Sequence, residues 1–332
     1  VVSLLDATIF GAPFQIDGRA VRVSCRVGVA RFPADGEDGG TLLHKAEAAL
    51  RHAKSIGERY LHYRLEMRSE ISERLMLEHR LREAIDHQQF ELHYQPQVNI
   101  ASGRIESVEA LLRWNAPGEG LVPPARFLPT LEASGLIVPV GEWVVRRAEQ
   151  DLRRWQQLGL GPVRIAVNVS AMQIRRRRFI DCLLGSAAVS AGDAPGYGID
   201  MEITESALLQ DPEGAGRLLR ELRAAGVRVA LDDFGTGYSS LGLLTQLPVD
   251  VLKIDRGFVR GLPGDSASMA LTQTIIRLAA AFGLCTVAEG VETSAQLEAL
   301  RELGCDMSQG FFHHPPAPVT TIEGLLTAAS RA

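Results

Sequence analysis

Asp232-Asp233-Phe234-Gly235-Thr236-Gly237 decides how this chain is read, because two adjacent carboxylates close an apolar run, Val227 to Leu231, and open into a glycine-flanked loop. Neighbouring carboxylates repel one another unless cations sit on them, and hard ions such as Mg²⁺ and Mn²⁺ prefer oxygen donors. A lone Asp-Asp pair is more simply explained by one residue capping a helix and the other facing water. This pair is not alone. Ile199 to Ile203 carries Glu202 and is followed by Glu205; Arg164 to Val169 carries Asn168; Ser107 to Leu112 carries Glu109. Val251 to Ile254 carries Lys253, and Thr286 to Ala288 runs into Glu289. A series of polar side chains set into β-rich apolar runs calls for a common purpose, since buried charge is costly unless it is paired or metal-bound.

Between these runs lie helical periods: Val138 to Leu158, Gly214 to Ala225, Ser268 to Phe282 and Ala295 to Leu303. With Phe90 to Val98 and Met307 to Phe311 as the first and last strands, eight strands are expected over 90–332. That alternation predicts an α/β fold of the β/α-barrel type, in which the active site lies at the C-terminal strand ends and scattered acids meet in one ring. A doubly wound open sheet is the competing architecture. It would place a Gly-rich phosphate loop after its first strand, and none is present.

Several motifs in order carry a resemblance: Tyr94-Gln95-Pro96, Glu109-Ala110-Leu111-Leu112-Arg113-Trp114, Asn168-Val169-Ser170 and Glu202-Ile203-Thr204-Glu205. The series continues with Asp232 to Leu241, Lys253-Ile254-Asp255, Ala288-Glu289-Gly290-Val291-Glu292 and Gln309-Gly310. From about Phe90 to Pro316 the chain resembles the EAL-domain cyclic di-GMP phosphodiesterases. The resemblance implies a modified (β/α)8 TIM-type barrel whose first strand is antiparallel to the rest, hydrolysing cyclic di-GMP to linear pGpG. It also implies two Mg²⁺ or Mn²⁺ ions. Glu109, Asn168, Glu202 and Asp232 would hold one; Asp232 or Asp233, with Glu289, would hold the other. Lys253 would orient the attacking water or steady phosphate charge, Glu289 would assist proton removal, and Gln309 would contact a metal-bound water. Gln95 and Arg113 would meet the ligand, and Glu205 would anchor the Asp232 to Ser240 loop, which the family links to metal binding and to a homodimer contact through the barrel.

The chemistry agrees independently of the resemblance. A doubly anionic cyclic dinucleotide is repelled by an acidic pocket until cations neutralise the carboxylates. Arg113 suits phosphate oxygens through its planar fork, whereas Lys253 acts as a point charge. Structural roles remain open for both, Arg113 as an ion-pair partner at the rim and Lys253 as a neutraliser of Asp255. The other hydrolytic-site reading is a cyclic di-GMP receptor that binds without turnover; the filled ligand positions favour the enzyme. A protein kinase suggested by Asp233-Phe234-Gly235 fails on context, because Lys253 follows the triplet and no His-Arg-Asp loop precedes it.

Composition sets the bounds. The 332 residues are 46% apolar and 23% charged, enough for one large core and a smaller unit. A formal charge of −5 argues against polymeric nucleic acid as a partner. Arg175 to Arg178 is a local exception, either a solvated helix face or a device that steers an anionic substrate or contacts a partner domain. Cys25, Cys182, Cys285 and Cys305 lack metal or disulfide spacing, and His313-His314 read as loop residues. No apolar run is long enough to span a bilayer. A cytoplasmic barrel is expected, and the start at Val1-Val2 without Met suggests a longer parent with an upstream sensory domain, membrane-anchored or not.

Residues 1–64 form a different, α+β segment. Pro13 to Asp17 and Ala20 to Phe32 alternate like paired strands, Thr41 to Ser55 reads as an amphipathic helix and Arg59 to Tyr63 as a last strand. Through Val27-Gly28-Val29-Ala30, Leu42-Leu43 and Ala46 to Lys54 this segment resembles the C-terminal part of a GGDEF domain. The Gly-Gly-Asp-Glu-Phe signature itself is nowhere in the chain, so cyclase activity is not expected. Residues 65–89 are expected to be a connecting helix, with Met67, Ile71, Leu75, Leu81 and Ile85 on one stripe, and 90–332 the barrel.

Overall fold

The fold is taken from a computed structural model that describes residues 12, 14–16, 19–21, 25–64, 66–191, 196–208, 211–235 and 247–329. The chain divides into two compact units, Val1–Arg80 and Leu81–Ala332.

In the first unit β1 (Phe14–Ile16) pairs antiparallel with β2 (Arg19–Val21). A separate strand, β3 (Val27–Val29), crosses over through α1 (Gly39–Ile56) to pair parallel with β4 (Tyr60–His62). Ala20 to Phe32 is therefore not one strand: Ala20 and Val21 belong to one small sheet and Val27 to Val29 to another. Asp38 caps α1 by accepting from the Thr41 N–H, and Gly57 ends it at φ 80°. Ala48, Ala49 and Tyr63 form a small core. Helix α2 (Glu66–Asp86) follows, and the boundary between the two units falls within it.

The second unit begins with β5 (Phe90–Asn99), β6 (Ile105–Ala116) and the short β7 (Gly120–Val122), then α3 (Leu128–Ser134) and α4 (Ile137–Gln157). Strand β8 (Arg164–Asn168), α5 (Ala171–Ile174), α6 (Arg177–Ala191), β9 (Gly198–Thr204), α7 (Glu205–Leu208), α8 (Pro212–Ala224) and β10 (Val229–Phe234) come next. The chain continues through β11 (Val251–Ile254), α9 (Arg256–Val259), α10 (Ser266–Ala281), β12 (Cys285–Ala288), α11 (Ser294–Leu303), β13 (Met307–Gln309), β14 (Ala317–Pro318) and α12 (Val319–Ala329).

Strands β6, β8, β9, β10, β11, β12 and β13 run parallel from neighbour to neighbour, and β5 closes the ring by pairing antiparallel with both β6 and β13. The result is a closed eight-stranded barrel with helices outside, its first strand inverted. Strand sequences such as Ile165, Val167, Ile199, Met201, Val229 and Leu231 are apolar on the face that meets the helices, and all are buried in one continuous core. Helix α4 answers them with Val145, Ala148, Leu152 and Trp155 at helical spacing, each essentially buried. At roughly 1.5–3 kcal/mol per fully buried large apolar side chain, this shell fixes the strand register on which the site depends.

The N-terminal rim of the barrel is clamped by charge. Asp200 on β9 accepts from the Arg164 Nε at 2.8 Å and from the Arg228 Nη2 at 2.9 Å, and its carboxylate is buried. A buried acid held by two guanidinium forks is satisfied, and it locks β8, β9 and the chain entering β10 together.

Candidate active site

Register assembles the site. Successive strand residues point to opposite faces, so Gln95 and Gln97 of β5 share a face. Gln95 lies opposite Glu109 of β6 and Gln97 opposite Gln309 of β13. Asn168 ends β8 opposite Glu202 of β9, and Asp232 of β10 lies opposite Thr204. Lys253 sits on β11, and Glu289 follows β12, its backbone N–H bonded to the Ile254 carbonyl at 3.0 Å. Two local devices sharpen the strand ends. Ser170 and Gln173 form a capping box that turns β8 directly into α5. Gly310 lets the chain after Gln309 pass against Val291, where a Cβ would stand 2.1 Å from the Val291 carbonyl oxygen.

Lys253 is the hub. Its side chain is 1% exposed, and its ammonium lies 2.6 Å from Glu202, 2.6 Å from Glu289, 3.5 Å from Asp232 and 3.9 Å from Glu109. Side-chain amides fill the remaining positions. Asn168 Nδ2 donates to Glu109 Oε1 at 2.6 Å, and Gln309 Nε2 donates to Glu109 Oε2 at 2.6 Å and to Gln95 Oε1 at 3.0 Å. Gln97 Nε2 donates to Glu202 Oε1 at 3.2 Å and to Gln309 Oε1 at 3.0 Å.

Burial and crowding split the acidities. Burial drives the Glu202 carboxyl well above the usual carboxylate range, and the neighbouring Glu109 and Asp232 add to this against the pull of Lys253. Glu109 suffers the same burial, but Lys253 and the amide donors Gln309 and Asn168 outweigh it and hold its pKa below the ordinary value. Burial, with Asp232 and Glu109 assisting, pushes Glu289 up to about 7 despite Lys253. For Lys253 burial opposes the charge, yet the surrounding acids win and raise its pKa well above that of free lysine.

Four carboxylates around one ammonium leave surplus negative charge. Among the described residues the acids converge on Lys253 and do not by themselves close into a cage of three or more His, Cys, Asp or Glu ligands. The donor set nevertheless fits a hard divalent cation: every donor is oxygen, Asn168 supplies a neutral one, and a single lysine does not cancel the charge.

The remaining expected residues stand at the periphery. Asp233 is exposed at φ 54°, immediately beyond the ring, with its pKa raised by partial desolvation of its carboxylate and by Asp232 and Asp255. Its backbone N–H bonds Asp232 Oδ1 at 2.9 Å, which orients that carboxylate. Arg113 on β6 is half-buried, donating from Nη1 to the Leu112 carbonyl at 2.9 Å; burial lowers its pKa, opposed by Glu109 and Glu91. Glu205 opens α7 and is buried. Residues 236–246, which include most of the loop that Glu205 was expected to anchor, lie outside the described residues. Gln97 was missed in the sequence. Its signal was the two-residue spacing from Gln95, which puts both amides on one strand face.

With this geometry in place, comparison with known proteins defines the class: the EAL domain family matches residues 78–316, and the chain belongs to it. It is 42% identical over 307 residues, 92% of this chain, to the bifunctional diguanylate cyclase/cyclic di-GMP phosphodiesterase MucR of Pseudomonas aeruginosa, covering 44% of that protein. It is 40% identical over 319 residues to the cyclic di-GMP phosphodiesterase NbdA of the same species, covering 95% of this chain and 40% of NbdA. With the cyclic di-GMP phosphodiesterase PdeR of Escherichia coli it shares 36% identity over 94% of this chain and 47% of PdeR. The chain thus spans less than half the length of these relatives. Among solved structures, the PaMucR phosphodiesterase in its c-di-GMP complex superposes with a TM-score of 0.70 at 42% identity, over 74% of this chain and 99% of that one. The Xanthomonas citri FimX EAL domain in complex with c-diGMP gives 0.68 at 27% identity, over 76% and 97% of the two chains.

Proposed function

We propose that this chain is a metal-dependent phosphodiesterase that hydrolyses cyclic di-GMP to linear pGpG. The observation that carries the reading is the convergence of Glu109, Glu202, Asp232 and Glu289 on Lys253 at one mouth of the barrel, with Asn168 bonded to Glu109. The similarity to named cyclic di-GMP phosphodiesterases supports the choice of substrate. Glu109, Asn168, Glu202 and Asp232 hold one Mg²⁺ or Mn²⁺; Asp232 or Asp233, together with Glu289, holds a second. When bound, such cations neutralise the carboxylates, polarise the scissile phosphodiester and acidify water.

The chain's own residues do the rest. Glu289, held by Lys253 Nζ at 2.6 Å, would assist removal of a proton from the attacking water. Lys253 fixes Glu202 and Glu289 through Nζ and offers positive charge to a phosphoryl oxygen. Gln309 holds Glu109 and Gln95 in place, while Arg113 and Gln95 meet the ligand from β5 and β6. Glu205 braces the loop after Asp232.

The wider organisation belongs to the same proposal. Residues 1–64 are the C-terminal part of a GGDEF-like domain without its signature, 65–89 a connecting helix and 90–332 the phosphodiesterase barrel. The chain works in the cytoplasm as a homodimer through the barrel, under an upstream sensory domain. Among the described residues no helix is long and apolar enough to cross a membrane.

The test is turnover: purified chain is incubated with cyclic di-GMP and Mg²⁺ or Mn²⁺, and products are resolved by anion-exchange chromatography. Accumulation of pGpG supports the hydrolase. Tight binding with the cyclic dinucleotide left intact makes the chain a receptor instead.

A further inference from the structure

The turn that leaves β13 carries His313 and His314 and is held from the face of the strand opposite the site. Ser308 precedes Gln309, so the two side chains point to opposite faces of β13. Ser308 is fully buried, and its Oγ shares a 2.8 Å hydrogen bond with His313 Nε2. The imidazole is half-buried, and that burial lowers its pKa, so the ring is neutral at pH 7 and suits a hydroxyl partner. Phe312 packs edge-on against it, with ring centroids 5.4 Å apart. The main chain of the turn is tied down near its start. Phe312 N–H donates to the Val291 carbonyl at 2.9 Å, and the N–H groups of His313 and His314 donate to the Gly310 carbonyl at 3.1 and 3.2 Å. Pro315 and Pro316 follow with no N–H to offer, and the chain rejoins β5 at Ala317, opposite Tyr94. The His313 side chain is therefore a hold on the far end of the turn.

At that far end the His314 carbonyl reaches the site. It accepts from Gln95 Nε2 at 3.2 Å, and Gln95 Oε1 accepts from Gln309 Nε2 at 3.0 Å. The carbonyl thereby decides which way the Gln95 amide faces. Turned over, Gln95 would set its nitrogen against the donating nitrogen of Gln309 and its oxygen against the His314 carbonyl. Gln309 has a second anchor in the Glu109 carboxylate at 2.6 Å, so loss of the His314 carbonyl loosens Gln95 and leaves Gln309 in place. The direction matters for an anionic ligand. An amide nitrogen carries two hydrogens; His314 takes one and a phosphate oxygen can accept the other, whereas the amide oxygen would repel it.

We infer that the Ser308–His313 pair is a positioning device for ligand binding: it holds the turn so that the His314 carbonyl keeps the nitrogen of the Gln95 amide available to the ligand. The inference rests on the cyclic di-GMP reading and adds to it two residues outside the ring of acids, both acting through Gln95.

The experiment measures KM and kcat for cyclic di-GMP with Mn²⁺ on the full chain, for wild type, Ser308→Ala, His313→Ala, His313→Gln and Gln95→Ala, and for the three pairwise combinations of the alanine variants. Ser308→Ala and His313→Ala should each raise KM about threefold to tenfold, the scale of one neutral hydrogen bond, and together should do no more than either alone. Because the acids and Gln309 are undisturbed, kcat should stay within about twofold. His313→Gln, whose amide can reach the same hydroxyl, should recover most of the binding. In the Gln95→Ala background, adding His313→Ala or Ser308→Ala should leave KM where it is. An unchanged KM in both single variants overturns the proposal. A His313→Ala effect that persists in full without the Gln95 amide also overturns it, since the residue would then contribute to folding alone. Should His313→Ala fail to fold, Ser308→Ala removes only the buried hydroxyl and decides the question through its own cycle with Gln95→Ala. Wild type that binds cyclic di-GMP without cleaving it overturns the hydrolase alone, and the same comparisons are then read in Kd. Wild type that does neither overturns the function, and the positioning device with it.

Discussion

Replacing Lys253 by methionine should cost about as much stability as deleting a large apolar side chain from the barrel core, and the cost should depend on metal. The ammonium is 1% exposed and lies within 4.0 Å of four carboxylates, two of them at 2.6 Å. Methionine keeps the volume and removes the ammonium that, among the described residues, meets all four. Breaking a buried ion pair from one side costs roughly 3–5 kcal/mol, since the abandoned charge stays buried. Protonation limits the damage, because Glu202 and Glu289 already hold their protons more tightly than free carboxyls. For a domain of this size 1 kcal/mol shifts Tm by about 2–4 °C, so a drop of about 6–20 °C is expected in chelator at pH 8. Carboxyls that have lost their ammonium titrate higher still, so the deficit should shrink as pH falls towards 5. Saturating Mn²⁺ should restore much of the loss by supplying the missing positive charge. Thermal melts followed by circular dichroism, with and without metal, measure all three effects. A variant melting within about 2 °C of wild type in chelator at pH 8 would show that Lys253 does not neutralise a buried acid ring.

Other perturbations separate chemistry from folding. Glu109→Ala should abolish turnover while leaving the far-ultraviolet dichroism of the barrel intact, and chelation should do the same reversibly on re-addition of metal. Glu289, with an ordinary value of 4.5 raised to about 7, keeps its proton in the fold at pH values where the unfolded chain has lost it. The native state therefore binds more protons across that window, and its stability falls as pH rises from about 4.5 to 7, by about 3 kcal/mol from this group. In metal-free protein Glu289→Gln should flatten that slope by a comparable amount; an unchanged slope from denaturant titrations would rule out the raised pKa. Asp200→Ala leaves Arg164 and Arg228 without their shared carboxylate and should cost about 3–5 kcal/mol by denaturant unfolding, with kcat of the folded fraction preserved. Lost kcat with an unchanged midpoint would mean that the N-terminal rim takes part in the chemistry.

Most of the barrel was legible because its strands are short apolar runs and its helices keep an uninterrupted period. The helix expected over Val138 to Leu158 is Ile137–Gln157, and Arg164 to Val169 corresponds to Arg164–Asn168. The inverted first strand came from the resemblance, since nothing in the alternation of Phe90 to Val98 reveals direction. The first unit was less legible. Its strands have three residues each, too few for a two-residue period to show where one sheet ends and the next begins. In the site, charged residues stood out against apolar surroundings, whereas Gln97 did not, because an uncharged amide in a strand sends no electrostatic signal. The centrality of Lys253 was also hidden: the sequence offers Asp255 two residues away as its partner, but in the fold its ammonium meets acids contributed by β6, β9, β10 and the end of β12.

The proposed hydrolysis requires these gathered acids to hold divalent cations. Anomalous diffraction from crystals of the chain soaked in Mn²⁺ addresses this directly. Peaks ligated by Glu109, Asn168, Glu202 and Asp232, with a further peak beside Glu289, are the expected result. Manganese confined to surface carboxylates, with the ring empty and Lys253 still bonded to Glu202 and Glu289, would contradict it.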